Sequence, residues 1–240
     1  MKRKAWLVLL LVLPVLAAPQ SLLQRAQKVF APLPVRMDER GKTPRPALID
    51  LGRRLFYEKQ LSLNNTMSCN SCHDLRSGFG ADGRPTSPGA VSGRGTRNAP
   101  SVYNAALHFW QFWDGRSATV ETQAGAPMTN PVEMALPDGF EVEKRLLAIP
   151  DYVKRFALAF PEDEHPVRWT HAMEAIGAFE RGLVTPAPFD RYLEGDETAL
   201  DSRQLKGLDL FLRVGCAECH HGATLGGNEL RQIGRKEAFP

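Results

Sequence analysis

The chain has 240 residues, 43% of them hydrophobic and 24% charged, with a formal net charge of +3. That length suits one large domain or two small ones, and the composition is that of a folded globular protein rather than a disordered or fibrous one. Lys2, Arg3 and Lys4 account for the whole positive excess, so the charge balance gives no support to nucleic-acid binding.

Those three cations open the first element. They precede AWLVLLLVLPVLAA, an apolar run that is interrupted by Pro14 and ends in small residues. A bilayer span needs about 20 apolar residues, so residues 1–18 read as a Sec-type signal peptide cut after Ala17 or Ala18. No cysteine lies near that point, and lipid anchoring is not expected. The mature chain is therefore expected in the periplasm, where disulfides can form.

A helical phrase follows at Gly52-Arg-Arg-Leu-Phe56, with Leu48, Leu51, Leu55 and Phe56 on one face. It leads into CNSCH at 69–73. The same order recurs later: Gly207-Leu-Asp-Leu-Phe211, with Leu205, Leu208 and Leu212 on one face, leads into CAECH at 216–220. These two pairs use all 4 cysteines of the chain.

Three chemistries use Cys-x-x-Cys. A disulfide within the motif closes a very small loop and belongs more naturally to redox enzymes. Bridges between the motifs give no reason for His73 and His220 to follow the second cysteine each time. Zinc has no need of those adjacent histidines either. Cys-x-x-Cys-His is the attachment signature of c-type haem. Two thiols on one turn reach the two vinyl groups of one porphyrin, and the next residue places an imidazole under the iron. The chain is thus expected to bind two covalent haems, through Cys69, Cys72 and His73 and through Cys216, Cys219 and His220.

Between the motifs the chain reads as mostly helical. Residues 78–100, GFGADGRPTSPGAVSGRGTRNAP, are the exception: dense in Gly and Pro, they predict a loop that wraps the first haem edge. Asp138 with Glu141 predicts a capped helix running to Leu147 and ended by Pro150. Ala172, Ile176, Phe179 and Leu183 form the apolar stripe of another, stopped before Pro186. No strand alternation is convincing, so the fold class is mainly α. Two cytochrome c-like units are expected, one over 19–165 and one over 166–240.

Electron carriers close the sixth iron position with Met or His, and catalytic haems keep it open. Residues 74–107 contain neither residue, which predicts an open iron at His73. After His220 the sole Met or His is His221, which is too close in sequence to reach the opposite haem face. The second haem unit is expected to be incomplete.

RNAPSVYNAA (97–106), QFWDGRSATVETQA (111–124) and NPVEM (130–134), set between two Cys-x-x-Cys-His motifs, resemble the bacterial dihaem cytochrome c peroxidase family, which includes MauG-like enzymes. The resemblance implies that His73 is the proximal ligand of a peroxidatic haem and His220 that of an electron-accepting haem. It implies that Trp113 lies between the haems, with Phe112 beside it on the peroxide side, and that Gln123 and Glu133 form the distal pair. Asn98 matches a ligand of a calcium ion between the domains. By themselves Trp113 reads as core packing and Glu133 as a surface carboxylate. Where many members carry a distal histidine, the aligned residue here is Ala90. The family also continues past residue 240, through a Met or Tyr ligand of the second haem.

The expected activity is reduction of hydrogen peroxide to water with electrons from a small donor protein, a cytochrome c or a cupredoxin. No nucleic-acid partner is expected, and a homodimer is a further expectation. The alternatives are a MauG-like oxidase acting on a protein substrate and a dihaem electron carrier without turnover. Mass spectrometry of the denatured protein, matured with the haem c machinery, is predicted to show two covalent haem additions. Masses of unmodified thiols or disulfides would overturn the haem assignment.

Overall fold

A computed structural model describes residues 20–36 and 43–232, and the expected signal peptide lies outside them. Its elements are α1 (Leu22–Gln27), α2 (Pro46–Phe56), α3 (Val120–Thr129), α4 (Gly139–Leu147), α5 (Pro150–Ala159), α6 (Trp169–Glu180), α7 (Pro188–Leu193) and α8 (Ser202–Arg213). Short 3₁₀ turns at Lys59–Leu61, Cys69–Ser71, Ala105–Leu107 and Cys216–Glu218 join them. Among the described residues β pairing is limited to two isolated bridges, Pro88 with Arg94 and Gln111 with Ser117. The mainly α expectation holds. No described helix is long and apolar enough to cross a membrane.

The helix ends follow local chemistry. Pro46 and Pro150 start α2 and α5, where a missing N–H costs nothing. Pro150 therefore opens a helix as well as closing the one before it. Asp138 caps α4 by accepting from Glu141 N at 2.9 Å. The Glu141 side chain turns forward to Lys144 and Arg145, an i,i+4 pairing with Arg145 in place of the reciprocal capping bond. Arg145 then ties this helix to the segment before the first motif, donating to the carbonyls of Gln60 and Ser62 at 3.0 and 2.8 Å. Helix α6 ends at Glu180, so Leu183 lies beyond it, yet still packs on the core that Ala172 and Ile176 join.

The described residues form two hydrophobic clusters. The larger combines Leu51, Leu55 and Phe56 of α2 with Met128 of α3, Val142 and Leu146 of α4, Phe156 of α5 and Ile176 of α6. The smaller gathers Ala26 and Phe30 with Tyr192 and Leu193, and Leu205, Leu208 and Leu212 of α8 pack against it. The cores thus divide the chain differently from a cut at residue 165. Helix α6 belongs to the core of the first motif, and α1, far upstream, joins that of the second. An ion pair from Arg25 to Asp209 at 2.9 Å and a bond from Gly222 N to Val29 O at 2.9 Å fix that long-range pairing.

The two glycines of the repeated helical phrase have unlike surroundings. A Cβ on Gly52 would lie 1.7 Å from the Ala175 carbonyl oxygen of α6, so the two helices cross with backbones in contact. A Cβ on Gly207 would meet nothing within 4 Å among the described residues. Ala improves helix propensity by about 1 kcal/mol over Gly, whereas overpacking costs about 1–3 kcal/mol and more against rigid backbone. Gly52→Ala is predicted to destabilise the protein by about 1–3 kcal/mol in urea unfolding, and Gly207→Ala to stabilise it by about 0.5–1 kcal/mol. Equal effects at the two sites would contradict the close α2–α6 crossing.

Candidate haem sites

Both motifs adopt one local geometry. In each, the first cysteine opens a 3₁₀ turn and its carbonyl accepts from the histidine N–H, His73 at 2.9 Å and His220 at 3.0 Å. The imidazole is then oriented by a backbone carbonyl. His73 Nδ1 lies 3.1 Å from Gly80 O, and His220 Nδ1 lies 3.0 Å from Leu225 O. A carbonyl there selects the Nδ1–H tautomer and leaves Nε2 as the free lone pair, which is how metal-ligating histidines are commonly held. Burial also pushes the His73 pKa down, which favours the neutral, ligating form.

The cysteine chemistry points the same way. All four are free thiols in the structure. Burial pushes the Cys69 thiol up to about 12, with the nearby Glu180 adding to it, and raises Cys72 as well. A redox dithiol or a zinc thiolate needs the opposite shift. Among the described residues no group of three or more His, Cys, Asp or Glu gathers to hold a metal ion. Protonated thiols on one turn, next to an oriented imidazole, fit thioether attachment of haem.

Above Cys69, Cys72 and His73 opens a cavity lined by residues of the loop, of α3 and of α6. The Gly- and Pro-rich loop walls one side through Ser87, Pro88 and residues 95–100, as expected from its position. Gly80 makes the turn possible: its φ is +76°, and a Cβ would meet Tyr103 at 2.9 Å and Ser101 at 3.0 Å. A neighbouring cleft runs from Leu75 and Phe79 to Thr224 in the loop after the second motif. Asn98, Phe112 and Trp113 line both spaces.

Gln123 and Glu133 reach the first cavity from the two ends of one device. Pro127 inside α3 removes the hydrogen bond that would pair the Gln123 carbonyl. The chain then turns back at once, with Met134 N donating to Pro127 O at 3.1 Å and Leu136 N to Met128 O at 2.8 Å. Glu133 sits in that turn, with its backbone carbonyl accepting from Ala90 N at 2.7 Å. Desolvation raises its carboxyl pKa, while the Arg116 charge and an Asn130 hydrogen bond pull it back. Glu133 is half-buried on the cavity wall, and the reading of an ordinary surface carboxylate does not describe it.

Trp113 is 56% exposed, so core packing does not explain it. Its indole N–H donates to Asn98 O at 3.0 Å, which fixes the ring between the two spaces. Phe112, at φ +65°, carries the Arg116 guanidinium 3.4 Å above its ring, and Arg116 is held by Asp114 at 2.8 Å. Asn98 is exposed, and its carbonyl already serves Trp113. A calcium ion takes 6–8 oxygen ligands, and with no acidic cluster gathered around Asn98 the described residues alone do not fit one; no step is derived through a cation there.

Ala90 is buried, bonded through its backbone to Glu133 and Asn64, and is not among the residues on the cavity wall. A histidine there would have to displace the loop to reach the cavity. Two methionines outside the 74–107 stretch, Met67 and Met134, do line the wall, so a loop without Met or His is not by itself enough to leave the iron open. Sequence reasoning also missed Arg116 and Glu180 as wall residues. The first stood inside the quoted QFWDGRSATVETQA segment; the second had no local signal. The second motif is more open: Cys216, Cys219 and His220 are all exposed in the described structure.

Comparison with known proteins agrees with this geometry. The profile of the family described as di-haem cytochrome c peroxidase matches residues 46–198. The cytochrome c551 peroxidase of Pseudomonas aeruginosa is 44% identical over 88% of this chain and 61% of its own length. The cytochrome c peroxidase Ccp of Escherichia coli is 42% identical over 80% of the chain and 40% of its own. The methylamine utilization protein MauG of Methylorubrum extorquens is 36% identical over 80% and 54%. A crystal structure of a MauG-like protein associated with microbial copper homeostasis superposes with a TM-score of 0.72 at 33% identity, covering 87% of this chain and 61% of that one. The chain thus spans between 40% and 61% of the length of these relatives. On its two haem-attachment motifs, its helical fold and its profile match, this chain belongs to the di-haem cytochrome c peroxidase family.

Proposed function

We propose that the matured protein reduces hydrogen peroxide to water, taking two electrons from a small redox protein and two protons from solvent. The observation that carries this reading is the convergence of Glu133 and Gln123 on the enclosed cavity over His73. Haem bound there supplies the iron that binds peroxide and the electrons that cleave its O–O bond. Glu133 serves as the proton shuttle: its carboxylate takes a proton from one peroxide oxygen and returns it to the other, which then leaves as water. Gln123 orients peroxide by hydrogen bonding. Trp113, fixed between the cavity and the neighbouring cleft, serves as the path for electrons arriving from the His220 side.

The exposure of the second motif supports its role as the entry point for electrons, since a donor protein can approach it. The donor's chemistry is that of a cytochrome c or a cupredoxin. The sequence of residues 1–18 supports periplasmic residence, and calcium at Asn98 and a homodimer stay proposals on the family resemblance alone. The oxidase reading has weaker support, because the MauG relative is 36% identical and the peroxidases 42–44%.

Glu133→Gln is predicted to lower peroxide turnover by about 10²–10⁴-fold, the usual worth of a positioned proton carrier, with both haem spectra intact. Desolvation raises the Glu133 pKa, so its carboxylate form is lost on acidification sooner than that of a solvated glutamate. The acid limb of the rate profile should therefore lie above the ordinary carboxylate range and disappear in the variant. Turnover at the wild-type rate in Glu133→Gln would remove this residue from the mechanism.

A further inference from the structure

The proton chemistry above leaves one acid of the cavity unused. Glu180, the last residue of α6, is 4% exposed and lines the same wall as Cys69, Cys72 and His73. Its Oε2 is buried and has no hydrogen-bond partner among the described residues. A buried carboxyl without a partner is costly, and ionised it is far more so. Two cations flank this end of α6. Arg36 donates to the Ala178 carbonyl and lies against Gly182. Arg181 turns to Glu121 of α3, donating from Nε at 2.7 Å and from its guanidinium NH₂ at 3.0 Å. Gly177, one turn earlier in α6, is pressed against that Glu121 side chain, which holds the pair in place.

We propose that Glu180 couples the redox state of the His73 haem to proton uptake: it is ionised beside the oxidised haem and takes one proton from solvent when that haem accepts one electron. This rests on haem occupying the first cavity, and goes beyond peroxide turnover to the energetics of loading the electrons. The physical basis is charge compensation. Cys69, which would carry the haem, is close enough to Glu180 for the carboxylate to act on its thiol. An oxidised haem carries one more positive charge than a reduced one, and that charge favours the carboxylate. Without it, burial and the Glu121 charge raise the Glu180 pKa to about 8, with Arg181 opposing. One electron arriving at iron and one proton arriving at Glu180 leave the charge of the cavity unchanged.

The other charged groups around α6 are placed differently. On α2, Asp50 pairs with Arg53 and Arg54 at the surface. On α4, Glu143 bonds Trp169 N at the opposite end of α6. Across the cavity lie His73, Arg97, Arg116 and Glu133, and any of them that titrates adds its own pH dependence. The variant must therefore isolate Glu180.

The test is an optical redox titration of the matured full chain at a series of pH values. The His73 haem is assigned as the wave lost in a C69A/C72A variant. Its midpoint potential is expected to fall with rising pH over the range in which Glu180 gives up its proton, approaching 59 mV per pH unit where the tenfold change in proton activity is fully felt. Glu180→Gln should abolish that slope and hold the potential near its low-pH value, because an amide is neutral in both states. A flat wild-type profile, or a slope that survives in Glu180→Gln, would overturn the proposal. If Glu180→Gln does not fold, reduced-minus-oxidised infrared spectra of Glu133→Gln, which leaves Glu180 as the carboxyl on the cavity wall among the described residues, decide. A protonated-carboxyl band gained on reduction supports the coupling, and its absence overturns it. A flat potential alongside normal peroxide turnover would sink this inference alone, whereas failure to attach haem at His73 would overturn both readings.

Discussion

The hydrogen bond between His73 Nδ1 and the Gly80 carbonyl, 3.1 Å long, constrains everything around the first site. The imidazole can face the cavity only if the chain returns to it within seven residues. That return needs a tight turn, a positive φ at Gly80 and side chains of residues 101–103 packed where a Cβ would stand. The loop that completes the turn then becomes the cavity wall. The orientation of one ring and the enclosure of the site are therefore a single structural solution, which a Gly-rich segment permits and a regular helix would not.

The second motif reuses the same bond, from His220 to Leu225, in a different setting. Its turn follows α8, whose apolar face leans on the small cluster built from α1 and α7. The first motif is backed by the larger core and roofed by a loop, a proline-interrupted helix and Glu133, while the second presents its cysteines and histidine to the surface. Equal attachment chemistry with unequal enclosure among the described residues is the basis for proposing one site as reacting and the other as the electron entry. Water exclusion and positioned acids matter for cleaving a bond between two oxygens, and accessibility matters for a donor that must dock. Trp113, held by Asn98, lines both spaces, the placement that the proposed electron path requires.

Much of this is legible in the residues, because it depends on short-range chemistry. Cys-x-x-Cys-His specifies its turn, Asp138 its helix start, and the leucine spacing of α2 and α8 their buried faces. What depends on distant partners is not legible. Nothing within residues 22–27 says that α1 joins the core of the second motif, and nothing local places α6 with the first. The two Gly-x-x-Leu-Phe phrases look alike, yet only Gly52 is a helix-crossing contact. Glu180 sits in an apolar helix with no motif around it, and it draws notice through a buried oxygen without a partner among the described residues, which only the folded cavity creates. Family resemblance singled out Gln123, Glu133 and Trp113, which line the first cavity, where spacing alone would have left Glu133 as a surface carboxylate and Trp113 as core packing.

The central claim is that the enclosed His73 site, rather than the exposed His220 site, is where peroxide reacts. The most direct measurement is rapid mixing of hydrogen peroxide with two variants that each retain one haem, C216A/C219A and C69A/C72A, followed by the optical spectrum of the remaining haem. The account predicts fast peroxide-dependent spectral change in C216A/C219A, slowed by adding Glu133→Gln, and no comparable reaction in C69A/C72A. A faster or Glu133-independent reaction in C69A/C72A would contradict it.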